Sequence, residues 1–269
     1  MLALLFVDGL GVSAHPESPL RHVASLPPEP RREDGVCYQL LDARLGLEGL
    51  PQSATGQTSL LTGRNAARLL GYHHGPFPGP TLRALLAEES LQVRAVRRGL
   101  RVHHANGYRS RYLELLEKRV RHVPLSAFGY AARAAGLPLL PLEHPEAVHP
   151  MLPDPEAAAL RFAALSERYD LVILEHWALD LAGHRDPAAI RGHLERLDRF
   201  LEAFRRARPK SSLVLISDHG NAEEPWHTAH TTNPVPFLVL GPLAAATPEL
   251  GDIVAWGRWV QRVVLEERT

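Results

Sequence analysis

Four apolar runs of strand length, each delivering an acidic or imidazole side chain at or near one end, confine this chain to a fold built around a buried sheet. Leu2–Val7 (LALLFV) ends in Asp8-Gly9, and Leu171–Leu174 (LVIL) leads into Glu175-His176 and then Asp180. Leu213–Ile216 (LVLI) ends in Ser217-Asp218-His219, and Phe237–Leu240 (FLVL) follows the segment of His230. Runs that are continuously apolar, rather than alternating, read as strands covered on both faces, which is the habit of parallel sheets. The expected class is therefore α/β, with a mostly parallel central sheet and helices on both faces. Open α/β sheets bind ligands beyond the carboxyl ends of their strands, so Asp8, Asp180, Asp218 and His219 are expected on one rim.

Length and charge narrow the function classes. With 269 residues, the chain suffices for a single domain over 1–269 with a substantial core and at most a small insertion. Its 30 basic and 30 acidic residues cancel. That balance gives no sign of a polyanion-binding surface, so no nucleic-acid partner is expected and the ligand should be small. Cys37 is the single cysteine, which excludes a disulfide framework. The apolar N-terminus lacks a basic flank and is interrupted by Asp8, too soon for a signal peptide or a membrane span. A cytoplasmic protein with no membrane partner is the expectation.

Between the strands, helical signals fall at Thr58–Leu61, at Thr81–Glu89 and at Ile253–Glu266. Across Pro187–Arg208 the residues Ile190, His193, Leu194, Leu197, Leu201 and Phe204 recur at helical spacing. Leu100–His104 reads as a further strand ending in Ala105-Asn106-Gly107, and Pro16–Arg32 as a long loop. The alternation breaks over Tyr108–Pro150, where Tyr112–Val120 and Ser126–Ala135 look helical and Leu137–Pro150 is proline-rich. Residues 108–150 are thus expected to form a small insertion or lid.

Chemistry concentrates in three stretches: Asp180-Leu181-Ala182-Gly183-His184, Ser217-Asp218-His219-Gly220-Asn221-Ala222-Glu223, and His227 through Pro236. Carboxylates and imidazoles are donors for borderline divalent ions such as Zn²⁺ and Mn²⁺, and two such ions take about six to eight donors. Each stretch alone has an ordinary explanation. Asp180 and His184 suit an i, i+4 pair on a helix surface, and Asp8 or Asp218-His219-Gly220 suits a turn after a strand. Their number and order favour a shared site. A fourth stretch, Pro51 through Arg64, places hydroxyls just ahead of or within a helix, whose N-terminal N–H groups and dipole favour a phosphate and an alkoxide. On chemistry alone Ser53, Thr55 and Thr58 all qualify as nucleophile.

Together these residues resemble the alkaline phosphatase superfamily of two-metal enzymes, particularly its cofactor-independent phosphoglycerate mutase and phosphopentomutase branch. Phe6-Val7-Asp8-Gly9-Leu10-Gly11 is similar to that branch's first-strand aspartate motif and Asp180-x-x-x-His184 to its Asp-x-x-Gly-His motif. Asp218 through Glu223, with His230-Thr231 and Val235-Pro236, resembles its last two ligand motifs. The family pattern sets a Ser or Thr ten residues before a glycine that closes the helix, a register that selects Ser53 and puts Gly56 at the family's glycine position. The resemblance implies Asp8, Ser53, Asp218 and His219 around one ion, Mn²⁺ or Zn²⁺, and Asp180, His184 and His230 around a second. Two divalent ions would balance three aspartates and an ionised Ser53. His73, His74, Asn106 and His227 are candidates for touching the substrate, a small phosphorylated metabolite.

One departure separates the chain from the mutases. These insert a large domain soon after the nucleophile helix, and the interval from Gly63 to Asp180 has no room for it. Hydrolysis of a small phosphate ester through a phosphoserine is therefore the first expectation, with intramolecular phosphomutase activity as the alternative. A metal-binding sensor or scaffold without turnover is the reading from another class, and the complete set of seven candidate ligands argues against it.

Overall fold

In β1 (Leu2–Val7) all six residues are buried, and they divide by parity. Ala3, Leu5 and Val7 enter one hydrophobic cluster, while Leu2, Leu4 and Phe6 enter another on the opposite face. This is the strand period of two with both faces apolar, the reason the run reads as continuous in sequence. The computed structural model describes residues 1–118, 120, 123–207 and 209–266.

Strands β2 (Arg31–Glu33), β3 (Val36–Leu41), β4 (Val102–His104), β7 (Leu171–His176), β8 (Ser212–Ile216) and β9 (Val235–Leu240) join β1 in a seven-stranded sheet of order β2-β3-β9-β8-β1-β7-β4. A two-stranded ladder pairs β5 (Gly107–Tyr108) with β6 (Leu140–Pro141). The expected mostly parallel sheet needs correction. β8, β1, β7 and β4 are mutually parallel, whereas β9, β3 and β2 are added by antiparallel pairing. The cause lies in the β8–β9 connection. Residues 217–234 contain no helix to carry the chain back to the far end of the sheet, so β9 returns from the same rim at which β8 ends.

On the Ala3 face lie α7 (Pro155–Arg168), α8 (Ala178–Arg185) and α9 (Ile190–Ala207), contributing Phe162, Leu179, Phe200 and Phe204 among others. All six periodic residues expected over 187–208 are buried in α9; a short 3₁₀ turn, Pro187–Ala189, precedes it, and residue 208 lies outside the described residues. The Phe6 face carries α1 (Ser53–Thr62), α2 (Ala66–Leu70), α3 (Pro80–Glu89), α4 (Leu91–Arg97), α6 (Ala127–Ala134) and α10 (Ile253–Leu265). Among the described residues no helix is long and apolar enough to cross a membrane.

The segment expected as an insertion is divided. Helix α5 (Ser110–Glu117) buries none of its residues; the helix expected to run on to Val120 stops at Glu117, and residue 119 lies outside the described residues. Helix α6 is core instead. Ser126 caps it by accepting the Gly129 N–H at 3.0 Å, and Phe128, fully buried, stacks on Phe6 with ring centroids 4.5 Å apart. Phe128→Ala should therefore lower unfolding stability by about 3–5 kcal/mol in a denaturant titration, the cost of a large core cavity. A loss below about 1 kcal/mol would mean that α6 is a detachable appendage.

Candidate metal centre

The side chains singled out in the sequence come together at the strand ends. Asp8 follows β1, α8 brings Asp180 and His184 just beyond β7, Asp218 and His219 follow β8, and His230 lies on the return to β9. Ser53 is the first residue of α1, whose N-terminus points at this rim. His219 Nε2 lies 3.0 Å from Ser53 Oγ, 3.3 Å from Asp8 Oδ1 and 3.6 Å from Asp218 Oδ2. On the other side, His184 Nε2 is 3.0 Å from His230 Nε2 and 3.4 Å from Asp180 Oδ1, and His230 Nε2 is 3.6 Å from the same oxygen. Two groups with metal-binding composition result: Asp8, Asp218 and His219, and Asp180, His219 and His230. His219 lies between them, its ring stacked on His230 at 3.8 Å.

These donors fit divalent ions on three counts. Donor atoms on a four-coordinate ion at about 2.1 Å lie roughly 3.4 Å from one another, the spacing found here. His184 Nδ1 donates to the Thr228 carbonyl at 2.8 Å and His230 Nδ1 to the Pro51 carbonyl at 2.7 Å. Since a carbonyl only accepts, both imidazoles carry a proton on Nδ1 and turn Nε2 inward, which makes Nε2 the atom that would meet a metal. Asp8 Oδ1, Asp180 Oδ1 and Asp218 Oδ1 are buried and make no hydrogen bond among the described residues, Asp8 and Asp180 facing only the imidazoles of His219 and of His184 and His230 at 3.3–3.6 Å. Buried carboxylate oxygens normally have partners, and a cation would satisfy these three.

Electrostatics point the same way. Burial, reinforced by Asp180, raises the Asp8 carboxyl, and burial with Asp8 and Asp180 raises Asp218 further still. Burial also raises Asp180, but His184, His219 and His230 outweigh it and hold that carboxyl below its ordinary range. Burial alone would lower His219; the carboxylates of Asp218, Asp8 and Asp180 overcome it and push the imidazole up to about 10. Without an ion, the cluster thus answers its negative charge with a proton on His219. Burial, with His219 adding repulsion, brings His230 down to about 4, which keeps it neutral.

The glycines and polar residues of the motifs have structural work. A Cβ on Gly183 would sit 1.4 Å from Asn221 Oδ1, so Asp-x-x-Gly-His needs its glycine to seat Asn221. The Asn221 amide donates to the Thr228 carbonyl at 3.4 Å, the same oxygen that orients His184. Gly56 lets the first turn of α1 approach Asp218, whose Cβ would be 2.8 Å from an added methyl. Glu223 is a buried staple that the motif alone did not explain. Its Oε2 accepts from the N–H groups of Gly11 at 3.1 Å and Asn221 at 2.8 Å, and its Oε1 accepts from the Asn233 amide at 3.0 Å and the Thr231 hydroxyl.

Of the three hydroxyls left open by chemistry, Ser53 meets the cluster. Thr55 Oγ1 donates to the Gln52 carbonyl at 3.0 Å, and Thr58 Oγ1 is buried with no hydrogen-bond partner among the described residues. The substrate candidates separate as well. Asn106 turns its amide to the backbone of Glu175, donating to the carbonyl at 2.9 Å and accepting the N–H at 2.8 Å, so it ties the end of β4 to β7. His227 is held by the loop, with Nδ1 3.1 Å from the Ala229 carbonyl and Nε2 3.1 Å from Glu224 Oε2. The backbone of His74 lies against the first turn of α1, its carbonyl accepting the Thr55 N–H at 3.0 Å, whereas the His73 ring lies beside Gly49.

A family model described as the Metalloenzyme superfamily matches residues 151–256. The 2,3-bisphosphoglycerate-independent phosphoglycerate mutase of Paracoccus denitrificans is 40% identical over 103 residues, covering 34% of this chain and 20% of that protein. The enzyme of the same name from Rhodopseudomonas palustris is 40% identical over 110 residues, 36% of this chain and 20% of its own length. The chain spans about a fifth of the length of these relatives. Among solved structures, the alkaline phosphatase of the Antarctic bacterium TAB5 superposes with a TM-score of 0.59 at 12% identity, over 100% of this chain and 98% of that one. The cold-active alkaline phosphatase of Shewanella sp. gives 0.59 at 13% identity, over 97% and 99%. The chain has an alkaline phosphatase-like fold, and about a third of it is similar in sequence to part of the phosphoglycerate mutases.

Proposed function

We propose that this chain is a two-metal phosphoryl-transfer enzyme acting on a small phosphate ester, with Ser53 as nucleophile. The observation that carries the reading is the meeting of Ser53 Oγ, at the head of α1, with His219 Nε2 at 3.0 Å inside the ring of ligand side chains. Asp8, Asp218, His219 and Ser53 would hold one ion, and Asp180, His184 and His230 the other; carboxylate and imidazole donors of this kind suit Mn²⁺ or Zn²⁺. When bound, such a pair supplies Lewis acidity and charge compensation to the phosphoryl oxygens and to the serine oxygen. The first turn of α1 directs its N–H groups and dipole at the incoming phosphate. The Ser53 hydroxyl gives its proton to solvent and Oγ attacks phosphorus in line; the Oγ–P bond forms as the bond to the ester oxygen breaks, and the departing alkoxide takes a proton from water, so the proton count is unchanged.

The fate of the phosphoryl group defines the activity. Mutase-type transfer, back to a second hydroxyl of the same alcohol, takes precedence over the hydrolysis that chain length suggested, because the curated relatives matched are named phosphoglycerate mutases. Hydrolysis remains the second reading. The interval from Gly63 to Asp180 is spent largely on core strands and helices, with the exposed α5 as the element nearest to a cover, and an uncovered phosphoserine meets water. The deciding experiment is phosphorus NMR of the Mn²⁺- or Zn²⁺-loaded protein with 3-phosphoglycerate and with a pentose phosphate. Conversion to the positional isomer without inorganic phosphate is expected for the mutase. Stoichiometric inorganic phosphate would establish hydrolysis in its place.

A further inference from the structure

Gln57, in the second turn of α1, is buried and lies between two of the ligand carboxylates. Its Nε2 is 3.4 Å from Asp8 Oδ2 and 3.3 Å from Asp218 Oδ2, while its Oε1 accepts the Ala127 N–H at 3.3 Å, the first residue of α6. The direction of this amide follows from chemistry. Reversed, it would set an oxygen against two carboxylates and an NH₂ group against a backbone N–H, so only one orientation satisfies all four groups.

We propose that Gln57 is a positioning residue for the Asp8–Asp218–His219 half of the site, fixing both carboxylates in the orientation that receives a divalent ion. The inference rests on the two-metal reading above. By donating one N–H to each Oδ2, Gln57 fixes the rotation of both carboxyl groups: Asp8 is left with Oδ1 turned to His219 Nε2 at 3.3 Å, and Asp218 has its Oδ2 held between the Gln57 amide and His219 Nε2, 3.6 Å away. Its two N–H dipoles also offset the repulsion between carboxylates that the fold forces together, so the pair is held ready before an ion arrives. The Asp180–His184–His230 half has its own supports, the Thr228 and Pro51 carbonyls, and Gln57 touches none of them.

That asymmetry gives the test. Mn²⁺ binding to the metal-free protein is titrated by electron paramagnetic resonance of free Mn²⁺, for the parent and for Gln57→Met, which keeps the volume and removes both donors. Gln57→Leu serves as a second variant, and thermal unfolding of each metal-free protein is recorded alongside. The expected result is two sites in the parent and, in each variant, one site weakened about 10–100-fold with the other unchanged. The metal-free unfolding midpoint should not fall in parallel. Parent affinity at both sites in the variants would overturn the inference and leave the two-metal reading standing, as would equal weakening of both sites that tracks a lowered midpoint. A parent that binds no Mn²⁺ would overturn the reading itself, and this inference with it.

Discussion

Ser53→Ala is expected to lower turnover of the phosphate ester by about four to six powers of ten, since removing a nucleophile removes the covalent route entirely. Folding should be nearly untouched. The hydroxyl is buried, its contact is His219 Nε2, and the alanine methyl fits wherever the serine β-carbon did. The change in unfolding stability should stay within about 1 kcal/mol. Acid trapping of the parent during turnover should yield a phosphopeptide with the phosphate on Ser53. Phosphate mapping to Thr55 would move the nucleophile by two residues, to a hydroxyl that now serves the backbone of Gln52.

The second large effect concerns metal content. Elemental analysis of the loaded parent should give two ions per chain, and the combined Asp180→Ala, His184→Ala, His230→Ala variant should give one. Three side chains whose donor atoms lie 3.0–3.6 Å apart disappear together, leaving Asp8, Ser53, Asp218 and His219 for the other ion. Because His219 faces both groups and is kept, the remaining ion should still bind at one per chain. Two ions retained by the triple variant would place the second site elsewhere in the fold.

The parts of this arrangement legible in sequence are those set by local pattern. Apolar runs mark β1, β7, β8 and β9 because burial on both faces leaves no polar alternation, and α9 shows its helical stripe for the complementary reason. Strand direction is not a property of such a run. Val235–Leu240 looks like its neighbours, and its antiparallel sense follows from a helix-free return after β8. In β3, Gln39 interrupts the apolar pattern, and β2 is a short, charged edge, so both escape notice. Helix α7 carried usable signals, Asp154 as cap and Pro155 in the first turn, but no motif drew attention to it.

The site divides along the same line. Aspartates and histidines announce themselves by chemistry and order, and a glycine beside them hints at close packing. Asn106, at a strand end, had the right type and place for a substrate contact, yet its partner is a backbone that only the β4–β7 pairing brings near. Glu223 and Gln57 matter through groups more than a hundred residues away in the chain, such as the Gly11 N–H for one and Asp218 for the other. No window of sequence contains those pairs.

The spacing of the candidate ligands along the chain has a mechanical consequence. Residues 8, 53, 180, 184, 218, 219 and 230 come from the first strand, the first helix and the far end of the fold, and in the unfolded chain nothing ties them. With Cys37 as its single cysteine, the protein has no covalent crosslink with which to do so. Each ion would knot sequence-distant segments in the folded state alone, and at a free concentration one hundredfold above its dissociation constant it would add about 2.7 kcal/mol to folding stability. The tie also spans the seam at which the sheet changes sense, since Asp180 stands beyond the parallel strands and His230 opens the antiparallel ones. A chelator would then act on this molecule much as a reductant acts on a disulfide-bonded one, loosening the junction between its two half-sheets.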